Sequence, residues 1–396
     1  MDFQFESPDF FQDPYPYYAQ MRATEEPYWL GIKNQTKCDG IWLFSRYKDA
    51  LSIFKESSAL SKNVRAVRLP EYQTPFDLIM LHRDSSDHIR LRRLVSNYFS
   101  ARSIQLLEPR VAKLCSELLQ SLSIDGQVDL ISGYAEPLPL IVISELMGIP
   151  LQDREQIREW SLQMSDGFDS TLTNPDILKT HIRALREFLS YIKDAIAIKR
   201  REHKDDLLSF LVNAQTEGKI DEEELTALAG FLIFAGHETT VSLIGSGVWL
   251  LLQHPDQLTQ LQNKPELIAN AVEEILRYES PEQRTTFRLT TSALDVGNVR
   301  IEKGQQVGIV IGAANRDERA FPNADKFDVT RTPNHHLAFG AGVHQCLGMH
   351  MARMQTRLAI GALIAKYPTL RLLDKHPNWR KNTFFRALLT LPIQLR

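Results

Sequence analysis

The sequence predicts a mainly α-helical protein with a small β region, and three features of the chain indicate this fold class. A segment from about Leu225 to Gln253 is apolar on nearly all sides of a helix, as in helices that cross a protein core. Apolar residues also recur at helical spacing from about Ser103 to Leu122. After Pro281 the pattern changes to short apolar runs between polar turns, which is typical of strands.

Composition limits the class of protein. The 396 residues are 43% hydrophobic and 24% charged, which is enough apolar material for a large folded core. A formal net charge of -3 argues against nucleic-acid binding by charge neutralisation, because that needs an excess of lysine and arginine. Three cysteines make no disulfide framework, and we find neither a secretory signal nor an uninterrupted run of about 20 apolar residues. We therefore expect one cytoplasmic domain, 1–396, without a membrane anchor.

The shorter elements follow in chain order. Two strands are predicted from about Tyr28 to Leu30 and from Gly40 to Phe44, with a helix from about Arg46 to Lys55 behind them. A strand, a turn and a second strand are expected between Val299 and Ile311, and the closing segment from Phe384 to Leu395 could hold another strand pair. The β-rich portions are thus about 27–45, 285–312 and 370–396, and the helical portions about 85–280 and 348–366.

The long central helix has recognisable ends. Asp221 and Glu224 have the spacing of a capping box, in which an acidic N-cap and a glutamate three residues later satisfy free backbone N–H groups. Pro255 marks the end of the helix, which would be roughly 42 Å long at about 1.5 Å per residue. Another helix is predicted from about Pro265 to Tyr278, with its apolar residues on one face.

The most informative stretch is residues 339–348, FGAGVHQCLG, which we call the cysteine loop. It runs directly into a predicted helix that ends near Lys366, so Cys346 lies at a helix N-terminus, where free N–H groups and the helix dipole favour a thiolate. We expect Gly340 and Gly342 to let the backbone lie close against a flat ligand. A lone cysteine is usually a small buried hydrophobic residue, so the whole pattern carries the argument.

The pattern of Phe339, Gly342, Cys346 and Gly348 resembles the signature of the cytochrome P450 family, the haem-thiolate monooxygenases. This resemblance covers nearly the whole chain and implies the P450 fold, in which haem lies between the long central helix and the helix after the cysteine loop. It also implies haem b, iron protoporphyrin IX, as the cofactor, with the Cys346 thiolate as the axial ligand that favours O–O cleavage.

A second motif agrees with this resemblance. Residues 235–240, AGHETT, match the oxygen-activation segment of the family's central helix, beginning at Ala235. The resemblance implies that Thr239 is the alcohol and Glu238 the acid that deliver protons during catalysis. We expect the small Gly236 to let the helix approach the haem. A glutamate and two threonines are costly to bury on an apolar helix without a purpose.

A third motif has a structural role in the family. Glu274 and Arg277 are three residues apart, so they share one helix face and can form an ion pair. The resemblance implies that they join Arg331 in a buried network that holds the loop leading to Cys346. An isolated pair of this kind is normally a surface pair that contributes little stability.

Haem carries two propionates, which need cationic partners. The family pattern assigns this role to His88 and Arg92 on one predicted helix, to Arg288 in a strand region, and to His344, which lies two residues before Cys346.

The implied function is insertion of one oxygen atom from O2 into an apolar small molecule of fatty-acyl, macrolide, terpenoid or steroid type, as in bacterial secondary metabolism. A chain of this length leaves no room for a fused reductase, so we expect a separate ferredoxin or flavodoxin with its reductase as the electron donor, and a monomeric enzyme. Docking of an acidic partner is expected on arginines around the cysteine side of the haem, namely Arg92, Arg93, Arg102, Arg353 and Arg357.

Two other classes of function stay open at this point. One is a peroxide-driven peroxygenase or an isomerase on the same fold, although the intact Glu238–Thr239 pair favours O2 activation. The other is a haem sensor or carrier without catalysis, which would have no need of Thr239.

The resemblance also predicts which segments enclose the substrate. They are residues 64–80, 160–172, 232–239 and 285–289 and the region near Phe384 and Phe385, with Phe168, Phe231 and Phe287 as further aromatic candidates. Arg65, Arg68 and His82 could bind an acidic group on the substrate.

Overall fold

The computed structural model of the protein describes residues 5–31, 38–70, 73–122, 126–167 and 175–396. Helices predominate within these ranges, which confirms the predicted fold class. The α-helices are α1 Pro8–Gln12, α2 Tyr15–Ala23, α3 Tyr47–Lys55, α4 Ser85–Ser96, α5 Ala101–Ser121, α6 Pro137–Met147, α7 Arg154–Gly167, α8 Pro175–Arg201, α9 Leu207–Thr216, α10 Glu222–Gln253, α11 Pro255–Asn263, α12 Ile268–Tyr278, α13 Ile311–Ala314 and α14 Met349–Lys366.

The strands are short and form small sheets. They are β1 Tyr28–Gly31, β2 Gly40–Phe44, β3 Leu60–Ser61, β4 Gln127–Asp129, β5 Arg288–Thr290, β6 Leu294–Val296, β7 Val299–Ile301, β8 Gln306–Ile309, β9 Arg371–Leu372, β10 Asn378–Trp379, β11 Leu388–Thr390 and β12 Pro392–Gln394. The largest sheet among the described residues has the order β1-β2-β8-β5-β3. A three-stranded sheet, β4-β12-β9, joins the chain end to the helical part.

Helix α10 is the central helix, and it packs against α6, α8, α12 and α14. Its predicted start is confirmed, because the Asp221 side chain accepts from the Glu224 N–H at 2.8 Å and Glu224 accepts from the Asp221 N–H at 3.2 Å. By length and composition α10 could cross a membrane, but most of its residues are buried inside the protein. Its apolar surface is therefore accounted for by helix packing.

The predicted strands are present, but strands that are neighbours in the sequence do not always pair with each other. β7 pairs with β6, whereas β8 pairs in parallel with β2 and antiparallel with β5. All four residues of β8 are buried, as expected for a strand in the interior of a sheet. At the chain end, β11 pairs with β10, and β12 pairs with β4 and β9. Apolar runs predict where strands lie but not which strands pair.

Candidate functional site

The cysteine loop is held in a tight turn by its own backbone. The Cys346 N–H donates to the Phe339 carbonyl oxygen at 2.8 Å. Gly340 and Gly342 have positive φ angles of 63° and 72°, the left-handed region that favours glycine. A Cβ on Gly342 would lie 2.5 Å from the Phe54 carbonyl oxygen, and one on Gly340 would lie 3.2 Å from the Phe54 ring. These glycines therefore turn the loop and let it pack on α3, and their expected approach to a flat ligand stays a prediction.

The Cys346 side chain is accessible, yet it lies inside the protein. Burial raises the pKa of its thiol to about 11, and Glu282 also raises it, while the Gly348 N–H, Arg92 and Arg353 lower it. An exposed side chain whose sulfur is nevertheless desolvated indicates a space beside Cys346 that the protein encloses. The Gly348 N–H favours the thiolate, as we predicted from the position of Cys346 at a helix N-terminus. Burial has the larger effect on the pKa and raises it. A bound metal cation would supply the charge that keeps the sulfur deprotonated.

Five basic side chains from separate elements meet beside this space, and we call them the cationic rim. His88 and Arg92 lie one turn apart on α4, Arg288 is the first residue of β5, and His344 belongs to the cysteine loop. The fifth is Lys62, directly after β3. The His88 and His344 rings are 4.1 Å apart between centroids. The structure therefore brings together the four predicted residues and adds a fifth.

The cationic rim has the properties of an anion-binding site. His344 Nδ1 and Arg288 Nη1 are buried and make no hydrogen bond in the described part of the chain. Burial, then Lys62 and His88, lower the pKa of His344 to about 2. Burial also lowers the pKa of Arg288, to about 10. Bound anions would accept hydrogen bonds from the unpaired donors and would reduce the repulsion among the basic side chains. The rim therefore fits the two propionates of haem.

Lys62 was missed by the sequence analysis. It is 3% exposed, and its ammonium donates to the Thr286 hydroxyl and to the Thr286 carbonyl oxygen, the latter at 3.3 Å. Burial, and then Arg288, hold its pKa well below the usual range for lysine. No signal in the sequence marks this residue, because lysines are exposed by default and its burial depends on the packing of β3 against β5.

The predicted oxygen-activation segment, residues 235–240, lies in the middle of helix α10. Ala235 and Thr239 lie one turn apart and are half-buried, whereas His237, Glu238 and Thr240 are buried. The Thr239 hydroxyl donates to the Ala235 carbonyl oxygen at 3.4 Å, which is a weak bond that leaves the hydroxyl able to turn.

Gly236 has a packing role. A Cβ on Gly236 would lie 2.8 Å from the Ile143 side chain, so this glycine lets α10 and α6 pack closely. Its expected role in the approach of the helix to the haem stays a prediction.

Glu238 makes a buried ion pair that the sequence did not reveal. Its Oε1 accepts from Arg380 Nη1 at 2.6 Å, and the two side chains are 8% and 7% exposed. Arg380 also donates to Asp166 at 2.9 Å and to the Leu162 carbonyl oxygen, both on α7. These bonds connect the central helix with α7 through one guanidinium group. Arg380 is 142 residues from Glu238, and the only hint of such a cation was the need to neutralise a buried glutamate.

The Glu274, Arg277 and Arg331 side chains form one buried network. Arg277 donates to both carboxylate oxygens of Glu274 at 2.8 Å, and both side chains are fully buried. Arg331 donates to the same carboxylate at 3.1 Å and 3.2 Å. The Glu274 carboxylate also accepts hydrogen bonds from the Asp328 N–H at 2.9 Å and from the Asn334 side-chain amide at 3.1 Å. This network therefore anchors the segment that leads into the cysteine loop.

A smaller cavity, which we call the apolar cavity after its large hydrophobic side chains, lies between the segments 64–82 and 284–287. Seven of its lining residues are large hydrophobic side chains, namely Ile41, Leu43, Val64, Phe76, Leu185, Phe287 and Phe384, and four of these lie in the predicted wall segments. Nine others are polar or charged. Arg68, Asp77 and His82 also line it, but Arg68 is paired with Asp77. Residues 168–172 of the predicted wall, Phe168 among them, lie outside the described residues.

A larger groove lies elsewhere and has a different character. It is lined mainly by polar and charged residues, among them Arg46, Asp317 and Arg331, and by none from α10 or the cysteine loop. The apolar cavity is also lined by no residue of α10 or the cysteine loop, but Thr286 in its wall accepts from Lys62 of the cationic rim. The larger groove is therefore less suited to an apolar ligand than the apolar cavity.

The expected partner-docking arginines differ in their surroundings. Arg353 pairs with Glu273 at 2.7 Å and Arg357 with Glu108 at 2.5 Å. Arg92 belongs to the cationic rim, and its pKa is lowered by burial. Of the predicted set, Arg93 and Arg102 are exposed.

A cysteine that opens on an enclosed space beside a cationic rim is the arrangement of a haem-thiolate protein. Comparisons with known proteins support this class. The sequence profile described as Cytochrome P450 matches residues 43–394. The chain is 38% identical to the biotin biosynthesis cytochrome P450 of Bacillus subtilis (strain 168) over 394 residues, covering 98% of this chain and 97% of that protein.

Two further comparisons agree. The chain is 39% identical over 398 residues to the vitamin D(3) 25-hydroxylase of Pseudonocardia autotrophica, covering 98% of this chain and 94% of that protein. The crystal structure of the myxobacterial cytochrome P450 CYP267B1 in complex with myristic acid superimposes with a TM-score of 0.92 at 32% identity, covering 99% of each chain. The chain therefore belongs to the cytochrome P450 family and is an oxidoreductase of the monooxygenase type, which implies a haem cofactor with a cysteine thiolate ligand.

Proposed function

We propose that this chain inserts one oxygen atom from O2 into an apolar small molecule, with Cys346 as the thiolate ligand of its haem. The observation that carries this proposal is that Cys346 is exposed while its sulfur is desolvated, two residues from His344 of the cationic rim. When bound, haem supplies the electron-transfer and dioxygen chemistry that side chains lack. His88, Arg92, Arg288, His344 and Lys62 would hold its propionates.

The polar residues on α10 move protons in this proposal. Arg380 holds Oε1 of Glu238, and Oε2 makes no hydrogen bond with the described residues. That second oxygen is the atom that carries a proton from the α7 side toward the Thr239 hydroxyl. Arg380 is a positioning residue, because it touches Glu238 and not the reacting atoms.

The substrate is an apolar molecule held in the cavity that Phe76, Phe287 and Phe384 line. Fatty-acyl, macrolide, terpenoid and steroid types all satisfy this requirement. The vitamin D(3) hydroxylase and the myristic acid complex among the similar proteins differ in ligand shape but share apolar bulk.

Electrons come from a separate ferredoxin or flavodoxin with its reductase, and the enzyme acts as a cytoplasmic monomer. The exposed Arg93 and Arg102 are the expected docking cations. Reduction of the haem should slow as salt is raised, because exposed charges are screened over about 10 Å at 0.1 M ionic strength. A reduction rate that does not depend on ionic strength would contradict docking of the partner on these arginines.

The test of the proposal is the carbon monoxide difference spectrum of the reduced holoprotein. Wild type should give the band of a haem-thiolate, and Cys346→Ser should lose it while keeping its fold by circular dichroism. The matched control is Cys115→Ser, since Cys115 is buried in the core. An imidazole-type band in wild type would contradict the proposal. Turnover with hydrogen peroxide that equals turnover with a redox partner would favour the peroxygenase instead.

A further inference from the structure

His82 lies in the wall of the apolar cavity, at the end of the short turn Met80–His82 that precedes α4. The His82 N–H closes this turn by donating to the Ile79 carbonyl oxygen at 2.9 Å. Two residues later Asp84, the N-cap of α4, accepts from the Lys62 N–H at 2.7 Å. Bonds on both sides therefore fix the backbone that carries the His82 side chain.

The His82 ring differs from other polar groups of this wall in having no partner. The Arg68 guanidinium pairs with Asp77, and the Thr286 carbonyl oxygen accepts from Lys62. Both ring nitrogens of His82 are buried, and neither makes a hydrogen bond with a described residue. The residue is only 5% exposed, so bulk solvent does not reach it freely. A buried polar group without a partner is unfavourable, so this imidazole calls for a ligand in the cavity that it lines.

The His82 ring is neutral near pH 7. Burial, and then the charges of Lys62 and Arg68, lower its pKa well below the usual value for histidine. The Phe76 backbone favours the charged ring, but no hydrogen bond of adequate geometry joins the two. A neutral imidazole offers one N–H donor and one nitrogen acceptor. A hydroxyl group suits this ring better than the acidic group expected from the sequence, because a carboxylate can only accept.

We propose that His82 is a specificity-determining residue that binds a hydroxyl group of the substrate, so that the preferred substrates are apolar molecules with an alcohol function. This inference rests on the proposed function and names a substrate class for it. An alcohol donates to the bare ring nitrogen or accepts from the N–H, so it satisfies either tautomer of His82. The large hydrophobic side chains of the cavity bind the rest of the molecule, and the hydroxyl fixes its orientation.

The test compares three ligands of one chain length: octan-1-ol, 1-fluorooctane and octanoate. Fluorine is close to a hydroxyl in size but does not donate a hydrogen bond and accepts one poorly. Dissociation constants are measured on the haem-loaded protein by isothermal titration calorimetry, which does not depend on turnover. The ligands also differ in hydration, so each is compared between wild type and variant rather than with the other ligands.

His82→Phe keeps a planar ring without nitrogens and should weaken octan-1-ol about tenfold, with 1-fluorooctane and octanoate changed by about twofold or less. His82→Gln restores a donor and an acceptor and should stay within about threefold of wild type for octan-1-ol. His82→Leu repeats the test if the phenylalanine variant does not fold.

His254→Phe is the matched control, because His254 is a half-buried histidine just after α10 that packs on Phe327 and lines neither cavity. It should leave all three affinities unchanged. An unchanged affinity for octan-1-ol in His82→Phe, an equal loss for octan-1-ol and 1-fluorooctane, or a loss confined to octanoate would each overturn the inference. Loss of the thiolate spectrum in wild type would instead refute the proposed function, and the calorimetric comparison would still report on His82.

Discussion

The buried pairs Glu274–Arg277 and Glu238–Arg380 differ in how completely their carboxylate oxygens are bonded. Both oxygens of Glu274 accept hydrogen bonds, and its partner Arg277 is fully buried. Glu238 has one oxygen bonded to Arg380 and one without a partner among the described residues. A fully bonded carboxylate rigidifies its surroundings, whereas one with a remaining oxygen is able to pass a proton. The difference separates a structural network from a candidate catalytic one.

The largest effect is expected from Arg277→Met. This change leaves the Glu274 carboxylate buried without its main partner, so the free energy of unfolding should fall by about 3–5 kcal/mol. Urea unfolding and the haem-to-protein ratio measure the outcome. Arg300→Met is the control, because its two ion pairs are on the surface, and it should change stability by less than about 1 kcal/mol. Equal stability of the two variants would contradict a structural role for the buried network.

Arg380→Gln should have a smaller effect on stability and a specific effect on chemistry. The variant loses charge-assisted hydrogen bonds, which corresponds to about 2 kcal/mol of unfolding free energy. Because Glu238 is no longer held, the product formed per reductant consumed should fall several-fold, with more peroxide released.

Arg386→Gln is the matched control for Arg380→Gln. Arg386 is equally buried and pairs with Glu279 at 2.8 Å, and neither residue belongs to α10. It should lose comparable stability and keep the coupling of wild type. If both variants uncouple alike, Arg380 is merely structural.

Glu282→Gln should make the protein more stable, in contrast to both arginine variants. Burial raises the pKa of Glu282 from 4.5 to about 7, with Lys62 opposing the shift. A raised carboxyl pKa means that the folded state binds the extra proton, so this residue lowers stability progressively as pH rises from about 4.5 to 7.

The variant should therefore gain about 1–2 kcal/mol of unfolding free energy at pH 8, after allowance for the accessible part of the side chain, and little at pH 4.5. Urea unfolding of wild type and variant at the two pH values measures this difference. A gain that is the same at both pH values would show that the carboxylate charge is not its cause.

The smallest effect on stability is expected from Thr239→Ala, because the Thr239 hydroxyl makes only one weak bond at 3.4 Å. Stability should change by less than about 1 kcal/mol. Product formation should fall while reductant is still consumed, which would also exclude a haem sensor or carrier. Thr240→Ala, at the buried neighbouring position, should keep its product yield. An unaltered yield in Thr239→Ala would remove this residue from the proton path.

The sequence was a good guide where partners are close along the chain. Glu274 and Arg277 are three residues apart on one helix, and His88 and Arg92 are four apart, so helix geometry alone brings each pair together. The capping box at Asp221 was predictable for the same reason. The strand pairings were not predictable, because β7 and β8 are neighbours in the chain but pair with different partners.

The tertiary structure decided which residues complete the site. Lys62, Arg380 and Glu282 carry no local pattern, and each acquires its role from a group far away in the chain. It also showed that Gly236 and Gly342 pack closely against α6 and the end of α3. By itself the sequence determined the helices and the local motifs, because their hydrogen bonds join near neighbours. Burial, charge balance and access to the cavity depend on contacts between distant segments, and only the packed fold creates them.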